Sequence, residues 1–181
     1  MSPVAPMPIL VISTTNRPAS LTVTVAKYYL ACLQEAHIPA ELLSLTDLPK
    51  DFTASALYAN KGKNTFFNKM TKLLDRYTKY VFIIPQYNGS FPGVFKAFID
   101  GYAAPHIFQG KKAALVGVSR GMQGGLLGLS HVTDILIYLG MVVYPIQPKL
   151  ANIPDPSWQT LQQFPDYLTR LQKQAIAFST F

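Results

Sequence analysis

Three polar loops hold most of the side chains in this chain that could grip a ligand. The first, 13–20, reads Ser13-Thr14-Thr15-Asn16-Arg17-Pro18-Ala19-Ser20 and leads into a helical pattern. A helix start presents free N–H groups and a partial positive charge, which suits a phosphate. Thr14, Thr15, Ser20 and Thr22 add hydroxyls, and Arg17 adds a guanidinium fork. The same residues read equally as an ordinary N-cap, Ser20, beside a surface charge. The loop has neither the GxGxxG glycines nor the Walker A pattern.

The second loop is Pro85-Gln86-Tyr87-Asn88-Gly89-Ser90-Phe91. It places a ring, an amide and a glycine-loosened backbone together. A flat heteroaromatic ligand needs such a set: apolar faces, with donors and acceptors along its edge. A turn built by Asn88-Gly89 explains the loop as well. The third loop, 119–125, carries Gly121, Gly124 and Gly125 after Ser119. Glycine allows backbone to approach a ligand closely, and it also makes a flexible connector.

Other chemistry finds little support. Ser90 and Ser119 share the chain's middle with His106 and His131, but there is no GxSxG elbow. One cysteine and three scattered histidines give no metal-ligand spacing. No side chain stands out as a catalytic acid or base. A bound redox cofactor would need none, because the cofactor carries the chemistry.

The elements that must position these loops alternate strand and helix. Short apolar runs at 9–12, 40–45, 80–84, 113–118 and 141–146 read as five strands. Between them, 3.6-residue periodicity predicts helices over 21–36, 65–79, from Pro92 to about 102, and up to about 139 with Gly140 as C-cap. Residues 46–64 show no firm period and read as a loop with one helical turn. A last helical segment starts after Ser157, and Pro165 breaks or restarts it. Five buried strands alternating with helices imply a doubly wound parallel sheet, covered on both faces. Ligands then sit at the carboxyl ends of the strands, where strand order reverses. All three loops lie at those ends.

The 181 residues make one domain, 1–181. With 49% hydrophobic and 14% charged residues, the chain can bury a core and is poor in the charge that marks disorder. The net charge of +7 favours anionic partners. Nucleic acid is not expected. The densest basic stretch spreads Lys61, Lys63, Lys69, Lys72, Arg76 and Lys79 along a helix, as a solvated face does. Cys32 falls on an apolar helix side and can form no intrachain disulfide. The amino-terminal residues lack a positive n-region, and the longest charge-free apolar run, 135–146, holds Gly140 and Pro145. A soluble cytoplasmic protein without a membrane segment is the expectation.

At these residues the chain resembles the NAD(P)H-dependent FMN reductases of the flavodoxin-like fold, a family that also includes quinone, azo-dye and chromate reductases. The resemblance runs from Ile9 to about Ile146. Its most specific part is 85–100, Pro85-Gln86-Tyr87-Asn88-Gly89-Ser90-Phe91-Pro92 followed by Phe95-Lys96 and Ile99-Asp100. It implies a three-layer α/β fold with five parallel strands in the order 2-1-3-4-5. It implies FMN as cofactor and NADPH or NADH as electron donor. Thr14, Thr15, Arg17, Ser20 and Thr22 would lie around the phosphate. Pro85, Gln86, Tyr87, Asn88 and Gly89 would line the isoalloxazine, and Ser119 and Gly121 its pyrimidine side. Electrons would pass by ping-pong hydride transfer to a small acceptor: a flavin, a quinone, an azo dye or a metal oxyanion. A homodimer or homotetramer is implied, with Tyr87, Phe91 and Tyr102 near the interface. The chain departs from the family where Gly-Ser-x-Arg becomes Thr14-Thr15-Asn16-Arg17 and where a common Glu becomes Gln86. The alternative is a flavodoxin-type electron carrier without enzyme activity, or a flavin-free binding module.

Overall fold

The computed structural model describes residues 7–102 and 106–181. Four parallel strands form its centre: β1 (Ile9–Ser13), β2 (Ala40–Ser44), β3 (Lys79–Pro85) and β4 (Lys112–Val118). β1 pairs with both β2 and β3, and β3 pairs with β4. With the short β5 (Val142–Val143) on the far side of β4, the order is 2-1-3-4-5, as the resemblance implies.

Alternation along the strands assigns their side chains to two cores. Ile9 and Val11 of β1, with Val81 and Ile83 of β3, face one side. There they meet α1 (Leu21–Glu35) through Val25, Ala26, Tyr29 and Leu33. Cys32 is buried in the same layer. Leu10 and Ile12, with Tyr80, Phe82 and Ile84, face the other. Between β2 and β3 the chain makes a short helix, α2 (Phe52–Ser55), and then α3 (Thr65–Asp75). α3 joins α4 (Gly93–Asp100) and α5 (Leu126–Tyr138) over the second face. That layer is aromatic: Phe67, Phe82, Phe95, Phe98, Tyr102 and Phe108 touch in edge and stacked pairs. Tyr102 is only 7% exposed, so its place is the core rather than an open interface.

Several boundaries differ from the sequence reading. α3 ends at Asp75, because Tyr77 turns into the core and Lys79 already belongs to the sheet. The expected loop over 46–64 holds α2 and the 3-10 turn Tyr58–Asn60, and a further 3-10 turn, Leu45–Asp47, leads into it. The expected fifth strand, 141–146, keeps only Val142–Val143. Tyr144 still donates to Ala113 O, and then Pro145 supplies no N–H. Pairing resumes as β6 (Lys149–Leu150), set against Gly117 and Val118. In the gap, Gln174 does the work of the missing strand residue. Its Nε2 donates to Leu115 O at 3.1 Å and to Ile146 O at 2.6 Å. Gln174 belongs to the last helix, α7 (Pro165–Thr180), which follows the short α6 (Trp158–Gln162). Pro165 at the start of α7 restarts the helix. Leu171, Ala175 and Phe178 of α7 close the α1 face of the sheet. Lys79 and Lys112 donate to carbonyls of Ser179 and Phe181, so two cations meet the negative end of α7.

Among the described residues, no helix is long and apolar enough to cross a membrane. Among the same residues, no group of three His, Cys, Asp or Glu could hold a metal ion.

Candidate functional site

The loops after β1, β3 and β4 enclose an open cleft of about 220 Å³. The chain leaves β1 for β2 on one side and returns to β3 on the other, so the cleft sits where strand order reverses.

One wall is the start of α1. Ser20 caps the helix from an extended conformation, its Oγ accepting from Val23 N at 3.3 Å. Leu21 and Thr22 follow on the cleft wall. N–H groups of a first helical turn have no intrahelical acceptor, so they are available to an anion. Ala19, just before the cap, holds a left-handed φ of 47°. That conformation is unusual for a residue with a Cβ and marks a strained corner at the cleft.

The opposite wall is the end of β3. Pro85 closes the strand, and Gln86 N donates to Val118 O at 3.0 Å. Gln86 Oε1 is buried and has no hydrogen-bond partner among the described residues. Such an orphan acceptor is rare in a finished core and expected where a ligand docks. Tyr87 lines the cleft, and its hydroxyl bonds Thr15 Oγ1 at 2.8 Å. Ser119, Arg120 and Pro156 complete the rim. Among the described residues, Arg17 and Arg120 are its two cations, and no carboxylate lines it. Asp155, beside Pro156, is held below the usual carboxylate range by hydrogen bonds from Ser157 and Thr160, with Arg120 a lesser cause.

Seven of the twelve expected site residues therefore share one cleft: Arg17, Ser20, Thr22, Pro85, Gln86, Tyr87 and Ser119. The other five stand behind or beside it. Thr14 and Thr15 are fully buried. Thr14 Oγ1 donates to Ile83 O at 2.9 Å, and Thr15 Oγ1 meets Tyr87 and the N–H of Arg17. Both hydroxyls are spent on the frame. Asn88 and Gly89 form a two-residue turn with φ of 48° and 75°. It is closed by Tyr87 N to Ser90 O at 2.8 Å and Ser90 N to Tyr87 O at 2.9 Å. Asn-Gly is the favoured pair for that turn, and here it aims Tyr87. Gly121 lies off the cleft, its carbonyl accepting from Ser119 Oγ and Asn152 N.

Gly124 packs inward. A Cβ there would lie 2.8 Å from the Lys149 backbone, at a φ of 57°. Its lack of a side chain thus admits β6 rather than a ligand.

Ala19, Leu21, Val118, Arg120 and Pro156 also line the cleft and were not expected. Arg120 adjoins Ser119 in a loop already singled out, so its charge was the available signal. Pro156 reaches the site from beyond β6, and no local pattern marks it.

Comparison with known proteins places the chain in a family. The family model described as NADPH-dependent FMN reductase matches residues 7–155. A 2-hydroxy-1,4-benzoquinone reductase from a Burkholderia species is 33% identical over 78 residues, which span 41% of this chain and 42% of that protein. The chain thus matches under half the length of that relative. Among solved structures, the flavoenzyme FerB, an NAD(P)H:(acceptor) oxidoreductase from Paracoccus denitrificans, superposes with a TM-score of 0.67 at 21% identity. That superposition covers 95% of this chain and 98% of FerB. An oxidoreductase from Corynebacterium diphtheriae gives 0.71 at 17% identity, with 98% of each chain covered. These two likenesses carry the fold alone. The family match, over most of the chain, carries the identification: this protein belongs to the NADPH-dependent FMN reductase family of flavin-dependent oxidoreductases.

Proposed function

We propose that the chain binds FMN in the cleft between β1, β3 and β4 and passes electrons from NAD(P)H to a small acceptor, in alternating half-reactions at one face. The observation that carries this reading is the cleft's composition. A helix start and two arginines face an orphan amide acceptor and a tyrosine, with no carboxylate between them among the described residues.

These residues fit the group. The dianionic phosphate finds the first turn of α1, the Thr22 side chain and Arg17. The buried Gln86 Oε1 awaits a donor, and the flavin ring edge carries an N–H. Bound FMN would supply the redox chemistry, taking a hydride from NAD(P)H and handing the electrons on. The protein's own share is to bind and orient. Tyr87 supplies an aromatic surface, held by Thr15 and by the Asn88-Gly89 turn. At about 220 Å³ the cleft is below the roughly 300–1,000 Å³ of pockets that enclose a ligand. Part of a flavin nucleotide would lie outside it, open to donor and acceptor.

A homodimer belongs to the same proposal. α5 leaves Leu126, Leu127, Ile137 and Tyr138 exposed, at 46%, 44%, 58% and 89%, a set of large apolar side chains that a second copy would cover. A cytoplasmic setting is proposed as well, consistent with a single buried cysteine.

The test is steady-state oxidation of NADPH and NADH by FMN-loaded protein, with 1,4-benzoquinone as acceptor. Parallel double-reciprocal lines would support alternating half-reactions. Intersecting lines would rule that order out, and no turnover with either nucleotide would favour an electron carrier.

A further inference from the structure

A second cavity, of about 440 Å³, opens at the break in the edge strand, between the 144–149 segment and α7. It shares no lining residue with the cleft. β6 stands between the two. Lys149 borders the cavity, while Leu150 O accepts from the N–H of Ser119 on the cleft side.

Its chemistry is distinctive. Lys149, Arg170 and Lys173 line it, and among the described residues no carboxylate does. Among the described residues none of the three is ion-paired. Like charges gathered without counterions repel, and an anion relieves that repulsion. Between the cations the wall is apolar, with Tyr144, Ile146 and Pro148.

Gln174 supplies the third element. It is 2% exposed and lines the cavity. Both hydrogens of its Nε2 are committed to Leu115 O and Ile146 O, which fixes the orientation of the amide. Among the described residues its Oε1 is buried without a donor, closed off from solvent. The two bonds tie α7 to the sheet edge, so the cavity between them is preformed.

We infer that this cavity is a second ligand site, for a small aromatic anion. The anionic group meets Lys149, Arg170 and Lys173. The ring lies on Tyr144, Ile146 and Pro148. The site is separate from the cleft, so its occupancy does not depend on bound FMN.

The probe is 1-anilinonaphthalene-8-sulfonate, which unites a sulfonate, two aromatic groups and an N–H. Fluorescence titration should show saturable binding that FMN does not displace. Reversing the three exposed cations together (Lys149→Glu, Arg170→Glu, Lys173→Glu) should weaken the probe at least tenfold. The FMN affinity of the protein should be unchanged. N-phenyl-1-naphthylamine, which lacks the sulfonate, should bind at least tenfold more weakly than the probe. Should the triple variant not fold, each single reversal carries the same comparison with a smaller loss. Unchanged probe affinity in the reversed variants, displacement by FMN, or equal binding of the neutral analogue would each overturn the assignment.

Discussion

At the scale of single residues, two side chains divide the work of the cleft. Arg17 is exposed and makes no ion pair among the described residues, so its removal should leave stability nearly untouched. Charge-assisted hydrogen bonds contribute about 1.5–3 kcal/mol each. Arg17→Ala should therefore weaken FMN by roughly tenfold to a hundredfold, read by quenching of flavin fluorescence. Gln86 predicts a split of the opposite kind. Its orphan Oε1 costs the empty protein stability, on the order of 1–3 kcal/mol. Gln86→Leu should leave the melting temperature of the empty protein equal or raised, while FMN affinity falls. A variant that lost stability without losing affinity would show that Gln86 serves only the frame. The sequence revealed the residue types here but not their division of labour. Thr15 and Arg17 sit two positions apart in one polar loop, and both look able to meet phosphate. Only the fold shows that the Thr15 hydroxyl is taken by Tyr87, 72 positions away.

At the scale of elements, four of the five strands are legible as short apolar runs, whereas their order follows from the family resemblance and not from the pattern of hydrophobicity. The fifth was misjudged for a physical reason. Hydrophobicity continues through 141–146, but Pro145 cannot donate to the ladder, and pairing breaks there. The repair by Gln174 was invisible, because it depends on a contact with Leu115, 59 positions away. Gln174→Leu keeps the volume and removes both bonds to sheet carbonyls. It should destabilise the protein by about 1–3 kcal/mol in urea unfolding, and a loss below about 0.5 kcal/mol would mean that the gap needs no repair. The glycine-rich loop teaches the same lesson. Its glycines read as room for a ligand, yet Gly124 admits the Lys149 backbone. Gly124→Ala should cost at least about 1 kcal/mol in the same measurement, since it adds both a clash and a strained φ.

At the scale of the whole molecule, pH should act on stability through His106. Its ring takes the N–H of Phe108 on Nδ1 and bonds Ile99 O through Nε2, a pattern that suits the neutral form. Burial holds its pKa below the usual histidine value, and Lys61 lowers it further, against the opposing bond to Ile99. The unfolded chain therefore takes up its proton first, near pH 6.5. Stability is full above that pH, declines as pH falls through the lowered folded value, and levels off below it. Urea unfolding between pH 7.5 and pH 5 should show this decline, and His106→Gln should flatten it. An equal slope in the variant would assign the decline to other groups. The family match and the cleft make one claim about the molecule as a whole, that it is built around FMN. The most direct test is a titration of purified, flavin-stripped protein with FMN, followed by absorbance and flavin fluorescence, in parallel with Arg17→Ala. Saturable binding of one FMN per chain, weakened at least tenfold in the variant, is the expected result. Protein that stays colourless at saturating FMN would contradict it, and so would a variant that binds FMN as tightly as the parent.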